Sequence, residues 1–331
     1  MKEIDLEVAD LKFSVPPPVI RQLRKEISKI NFYPSGNYLE LKKAFCDYLG
    51  PKLAFGPENI FFGNGLDEII DLISRVWGNV NLIPIPTFSQ FAQAARRSNQ
   101  KVIRINMMEK GEYKLHFDER SLQKASLVWI CNPNNPTGNL IPKRKIKEII
   151  DSSAGMVAVD ECHFEYTGET VVDLIKEYSN LIVLRSFSKN FGIAGLRLGV
   201  AISRSENIRR IEKVRQPFNV NRMAEKAGLT VLKYKREYKK IWEKVLRIGR
   251  KFAAEVEEIG YRTFNVNGNF VLVDFFSEGK AKKIIRGLEE KEIRACPGWS
   301  EEEFDGKLNS CIRFAIGSEK NMRSVLEVLK C

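Results

Sequence analysis

Histidine is nearly absent from this chain, and cysteine is scattered. With only His116 and His163, and with six cysteines (Cys46, Cys131, Cys162, Cys296, Cys311, Cys331) that form no CxxC pair, no zinc spacing can be written. Reduced thiols and no metal are expected. No apolar run approaches the roughly 18 residues of a membrane span. The stretch "MKEIDLEVADLKFSV" also lacks the basic region and apolar block of an export signal. A cytoplasmic protein without membrane contact is the expectation. Internal repeats and low-complexity linkers are missing too, as are the GxGxxG and P-loop phosphate fingerprints.

What is present is a chain of 331 residues, 44% hydrophobic, with a formal charge of +12. That length supports a sizeable core and exceeds what one compact core usually carries, so two lobes are expected. The charge raises a nucleic-acid reading. However, the basic residues lie on amphipathic stretches such as "KYKREYKKIWEKVLRIGRKFAAEVEEIG", interleaved with glutamates and apolar residues at helical spacing. This is the pattern of a solvated helix face. A basic surface also concentrates anionic small molecules.

Along the chain, short β-rich runs alternate with helical patterns. "NIFFGN" precedes "GLDEIIDLISRVW", "NVNLIPI" precedes "TFSQFAQAARRS", and "SLVWICNP" precedes "PKRKIKEIIDSS". "GMVAVDE" and "NLIVLRS" follow, then "RLGVAIS" before "SENIRRIEKV". This order predicts an α/β fold with a mostly parallel sheet between helices, whose ligands sit beyond the carboxyl ends of the strands. After "RQPFNVN" the pattern changes to long helices with the strand-like "RTFNVNGNFVLVDF" and "SCIRFAIGS", as in a smaller α+β lobe. The expected division is a large domain over 32–215 and a small domain from 1–31 plus 216–331.

The unusual residues fall at the predicted strand ends. "CNPNNPTG" forces a turn with projecting amides. "VAVDECH" delivers Asp160 after buried-type residues, where a carboxylate needs a cationic or donor partner. "VLRSFSK" delivers Ser186, Ser188 and Lys189, with Arg197 further on, and an unpaired lysine in an interior segment is snorkelling, paired or used chemically. "GNGLDE" places Gly63 and Gly65 where a strand turns into a helix, leaving free N–H groups that suit a phosphate. A lysine for an imine, an acid for a ring nitrogen, and hydroxyls, an arginine and a helix N-terminus for a phosphate together describe a site for pyridoxal 5′-phosphate. An acid beside the pyridine nitrogen favours its protonated form, the better electron sink.

The ordered series "NFYPSGNYLELKKAF", "FFGNGLDEII", "PTFSQF", "CNPNNPTG", "VDE", "SFSKNFGIAGLRLG", "RQPFNVN" and "CIRFAIGS" resembles the fold-type I aminotransferases of class I and II. It is most similar to the branch with histidinol-phosphate aminotransferase and threonine-phosphate decarboxylase. The resemblance implies that Lys189 carries the Schiff-base link to the cofactor and that Asp160 faces the pyridine nitrogen. Asn135 would donate to the ring's phenolic oxygen, and Phe88 would stack on its face. Ser186, Ser188 and Arg197 would hold the phosphate together with backbone N–H groups of Gly65 and Leu66. Tyr33 would reach that phosphate from a neighbouring subunit, which makes a homodimer the expected unit. Arg313 matches the arginine that takes the substrate α-carboxylate; pairing with a nearby acid is the bland alternative. His163 stands where the family usually has tyrosine. It can still donate to the phenolic oxygen, with a charge sensitive near neutral pH, or it is simply packed.

Transamination between a phosphorylated amino compound and 2-oxoglutarate or glutamate, with Lys189 moving the proton, is the expected reaction. Threonine-phosphate decarboxylation and general amino-acid transamination are the alternatives. A silent nucleic-acid-binding relative would have lost Lys189 or Asp160, and both are present. The substrate is expected to be held at both ends, its α-carboxylate by Arg313 and a distal phosphate by Arg294, Arg21 or Arg24.

Overall fold

The computed structural model describes residues 3–50, 53, 55–300 and 304–330. Seven strands form the large sheet: β1 (Ile60–Gly63), β2 (Val80–Ile85), β3 (Lys101–Asn106), β4 (Leu127–Cys131), β5 (Met156–Asp160), β6 (Leu181–Ser186) and β7 (Gly199–Ser203). Their spatial order is β1-β7-β6-β5-β4-β2-β3. Strands β2 to β6 run parallel, while β7 is antiparallel to both β1 and β6.

Every residue of β4, β5 and β6 is buried, which is why these strands read as near-continuous apolar runs rather than alternating ones: helices cover both faces. The period of two still sorts the side chains. On β4, Val128 and Ile130 join one apolar layer, and Leu127 and Trp129 the other. The helices Gly65–Trp77, Gln90–Arg97, Lys143–Ser152 and Ser205–Glu212 each bury an apolar stripe against the sheet. Strand β3 has no counterpart among the expected strands. It lies at the sheet edge with only partial burial, so its apolar residues are interrupted by Lys101 and Arg104.

The smaller sheet has order β8-β9-β11-β10, all antiparallel, from β8 (Arg262–Thr263), β9 (Phe270–Asp274), β10 (Cys296–Pro297) and β11 (Cys311–Ala315). The 24-residue helix Lys235–Glu258 packs on it through Val245, Ile248 and Phe252 and leaves Lys239, Lys240, Lys244, Arg247 and Arg250 exposed. The run of basic residues is thus the outer face of a packed helix. Residues from the N-terminal part of the described chain pack against later segments. Ile4–Asp5 pairs in parallel with Ile293–Arg294, and helix Pro17–Glu26 packs on helix Arg222–Lys233.

Candidate active site

The carboxyl ends of β4, β5 and β6 converge on one cavity of about 200 Å³. Its wall includes Leu66, Phe88, Asn135, Asp160, His163, Ser186, Ser188, Lys189 and Arg197. Parallel register explains the convergence, since Cys131 at the end of β4 pairs with Asp160 at the end of β5, and Asp160 pairs with Leu184, two residues before Ser186. A second cavity of about 250 Å³ opens beside it, sharing Val8, Phe88, Asn135 and Lys189 and adding Ser89, Cys296, Ser300, Phe304 and Arg313.

Asp160 is the most informative group. It is 1% exposed. Its Oδ1 accepts the Cys162 N–H at 2.9 Å, whereas Oδ2 is buried with no partner. Burial pushes its carboxyl up to about 7, against the opposing pull of the Cys162 hydrogen bond and the Lys189 charge. The neighbouring Glu161 faces the other way and pairs with the buried Arg185 at 3.0 Å. The two adjacent acids therefore have separate tasks, and only Asp160 addresses the cavity.

Lys189 is half-buried, and its Nζ has no hydrogen bond or ion pair among the described residues. Burial lowers its pKa from the usual lysine value. Its backbone is held firmly: Tyr166 Oη donates to the Lys189 carbonyl at 2.9 Å, and Trp242 Nε1 donates to the Asn190 carbonyl at 2.7 Å. Asn190 Nδ2 also donates to the Cys162 carbonyl at 2.8 Å. None of these holders was legible in sequence, because their partners lie far along the chain.

At the other end, Gly65 opens the 13-residue helix with a φ of +78°, and a Cβ there would sit 2.5 Å from Arg197 Nη2. Glycine is required by both the backbone and the close approach. Arg197 pairs with Asp67 at 2.6 Å, and Ser186 Oγ accepts the Ser188 N–H at 3.1 Å. An arginine, two hydroxyls and a helix N-terminus thus share one end of the cavity.

His163 is 1% exposed, packs edge-on to Phe270 at 5.2 Å, and leaves Nδ1 without a partner. Burial, with the charges of Lys189 and Arg313, pulls its pKa down to about 3. The charge sensitivity near neutral pH expected from the sequence is therefore corrected: this ring is neutral throughout that range. Arg313 has no carboxylate partner among the described residues. Its Nη1 donates to Asn135 Oδ1 at 2.8 Å and its Nη2 to the Glu7 carbonyl at 3.1 Å, while Nε is buried without a partner.

Four expected residues stand apart. Arg294 is exposed and pairs with Glu7 and Glu3; it lines neither cavity, nor do Arg21 and Arg24. Tyr33 is 78% exposed and stacks on Phe218 at 4.7 Å. The sequence reading missed the N-terminal strap Glu7–Asp10, which walls both cavities.

A family model described as aminotransferase class I and II matches residues 1–329. The chain belongs to that family. It is 31% identical to the histidinol-phosphate aminotransferase of Thermoanaerobacter pseudethanolicus over 98% of this chain and 92% of that one. The crystal structure of the histidinol-phosphate aminotransferase from Clostridium acetobutylicum superimposes with a TM-score of 0.87 at 27% identity, covering 99% of this chain and 98% of that one. The Sinorhizobium meliloti histidinol-phosphate aminotransferase in complex with pyridoxal 5′-phosphate shares the fold, with a TM-score of 0.87 at 20% identity, covering 99% and 90% of the two chains.

The class I and II aminotransferases are transaminases that work with pyridoxal 5′-phosphate, and this chain is one of them. The residues of its cavity fit that cofactor. The unpartnered Oδ2 of Asp160 is costly unless a protonated donor meets it, and the end with Gly65, Ser186, Ser188 and Arg197 is suited to a dianion.

Proposed function

We propose that this aminotransferase takes the amino group of histidinol phosphate, with 2-oxoglutarate and glutamate as the partner pair. When bound, pyridoxal 5′-phosphate supplies an electron sink for the negative charge that develops at the substrate Cα. Asp160 holds the proton on the ring nitrogen. Lys189 anchors the cofactor and then uses Nζ to take and return the proton; its lowered pKa keeps more of it in the basic form. Arg313 fixes the Asn135 amide by occupying Oδ1, which leaves Nδ2 as the end offered to the phenolic oxygen. Neutral His163 would donate there as well, and Phe88 would cover the ring face. Ser186, Ser188, Arg197 and the N–H groups of Gly65 and Leu66 hold the phosphate.

The observation that carries the substrate reading is the short inventory of cations. Among the described residues, the cations lining the two cavities are Lys189, Arg197 and Arg313. Arg197 serves the cofactor, so one arginine remains for the substrate. Histidinol phosphate has no α-carboxylate: its phosphate ester occupies that branch of Cα. Arg313 can therefore take the phosphate in one half-reaction and the glutamate α-carboxylate in the other. Threonine phosphate carries both anions at once and would need two such groups, which is why the two-ended scheme with Arg294, Arg21 or Arg24 gives way to one arginine. The names of the curated relatives point the same way.

The reading includes two lobes, 32–215 and 1–31 with 216–331, in a cytoplasmic homodimer. Exposed Ile27, Ile30, Phe32, Tyr33 and Phe218 support the dimer, with Tyr33 reaching across to the partner's phosphate site. Among the described residues no helix is long and apolar enough to cross a membrane. The test is product analysis of the cofactor-loaded enzyme with histidinol phosphate and 2-oxoglutarate, and separately with threonine phosphate. Glutamate formation supports the reading, whereas carbon dioxide release from threonine phosphate without glutamate formation overturns it.

A further inference from the structure

The strap Glu7–Asp10 forms part of the wall of both cavities, yet it belongs to no long strand or helix. Its upstream neighbours are pinned to the small lobe: Ile4 N–H donates to the Glu292 carbonyl, Leu6 N–H to the Arg294 carbonyl, and Ala315 N–H to the Leu6 carbonyl, each at 2.9 Å. Leu6 is 1% exposed. Beyond Leu6, besides the ion pairs of Glu7 with Arg294 and Asp10 with Lys12, two side chains hold the strap by its backbone carbonyls. Arg313 Nη2 donates to the Glu7 carbonyl at 3.1 Å. Asn269 Nδ2 donates to the Ala9 and Asp10 carbonyls, both at 2.9 Å.

These tethers are not equivalent. Arg313 faces the substrate cavity, and an arriving anion competes for its donors. Asn269 lines neither cavity, is 1% exposed, and spends both N–H bonds of its amide on the strap. Its own position is rigid, because its carbonyl accepts the Ile316 N–H at 2.8 Å and the next residue, Phe270, is in register with Ala315. The surrounding loop touches other walls of the site. Asn267 Nδ2 donates to the Gly138 carbonyl at 2.9 Å, and a Cβ at Gly268 would lie 3.1 Å from His163 Nδ1.

We propose that Asn269 is a positioning residue that holds the strap as a wall of the substrate cavity while Arg313 is engaged by the substrate anion. It touches no reacting atom and acts through Ala9 and Asp10. The substrate-binding half of this inference rests on the function proposed above; the holding of the strap does not.

The experiment compares wild type with Asn269→Ala and Asn269→Asp, the second keeping the shape while removing both donors. Hydrogen exchange is measured on the cofactor-loaded protein without substrate. Exchange in the peptide covering the strap is expected to accelerate about tenfold, as for loss of a pair of ordinary hydrogen bonds, while the peptide covering Phe270–Asp274 keeps its wild-type rate. In kinetics, KM for the amino donor is expected to rise about three- to tenfold with kcat falling less, and the affinity for pyridoxal 5′-phosphate, read by absorbance, is expected to stay within about twofold. Unchanged strap exchange in both variants, or equal acceleration across the whole small lobe, overturns the proposal. So does a fall in kcat with KM unchanged. If wild type fails to use histidinol phosphate, the function proposed above falls, and the exchange comparison alone decides the role of Asn269.

Discussion

Asp160→Asn isolates the electrostatic demand that the cofactor site places on the apoprotein. In the folded apoprotein burial moves this carboxyl from 3.8 to about 7, so keeping it ionised above that pH costs about 4 kcal/mol relative to the unfolded chain. The sign follows from proton counting. The folded state binds the proton more tightly, so the contribution is fully present below 3.8 and is lost as pH rises through about 7. His163 works in the opposite sense: its folded pKa of about 3 lies below its ordinary 6.5, so its contribution is present above 6.5 and is lost as pH falls toward 3. The two oppose each other across the acid range, and only a comparison between proteins separates them. The assay is denaturant unfolding of the apoproteins at about pH 5 and about pH 8. Wild type is expected to lose about 2.5 kcal/mol relative to Asp160→Asn between the two conditions, because at about pH 5 only part of the full contribution is present, with the His163 contribution cancelling in the difference. Adding pyridoxal 5′-phosphate at the higher pH should restore wild type far more than the variant. Parallel stability curves for the two apoproteins would refute the reasoning and remove Asp160 as the partner of the ring nitrogen.

Lys189→Ala is expected to abolish turnover and borohydride-trappable cofactor while far-ultraviolet circular dichroism stays native; turnover at the wild-type rate would exclude Lys189 as the reacting amine. Arg313→Ala should lower kcat/KM for histidinol phosphate about tenfold to a hundredfold, the worth of one charge-assisted contact. In the same assay Arg294→Ala should change it by less than about threefold, because its exposed pairs with Glu3 and Glu7 contribute little. Gly138→Ala should cost about 2 kcal/mol or more in denaturant unfolding, since its φ is +68° and a Cβ would lie 1.9 Å from the Asn265 carbonyl oxygen.

The large sheet was legible in the chain because its central strands are buried on both faces, and two of them, β5 and β6, end in the polar residues Asp160 and Ser186. Asp160, Ser186 and Lys189 announced themselves as polar groups after apolar runs, and register then carried them to one cavity. Strand β3 went unseen, since an edge strand needs no continuous apolar run. The proposal for Arg294 failed on geometry: its side chain faces solvent beside Glu7, and nothing in "EIRAC" encodes that direction. Asn269, Trp242 and Tyr166 act through backbone carbonyls of distant segments, and a carbonyl has no sequence signature. The strap itself reads as an unremarkable mixed segment until its partners, close to 300 residues away, are known.

That separation has a consequence for how the chain is made. Leu6 leaves the ribosome long before the Arg294 carbonyl that accepts its N–H and the Ala315 N–H that donates to its carbonyl are synthesised. The seven strands between Ile60 and Ser203 can close into a sheet while the N-terminal segment is still without its partners. The floor of the site, with Asp160 and Lys189, is then complete before its wall exists. Because contacts of such long sequence separation form slowly, a newly released chain should acquire its cofactor-binding floor first and its substrate-enclosing strap last. A chain cut before Arg294 would thus leave the strap without a place to dock.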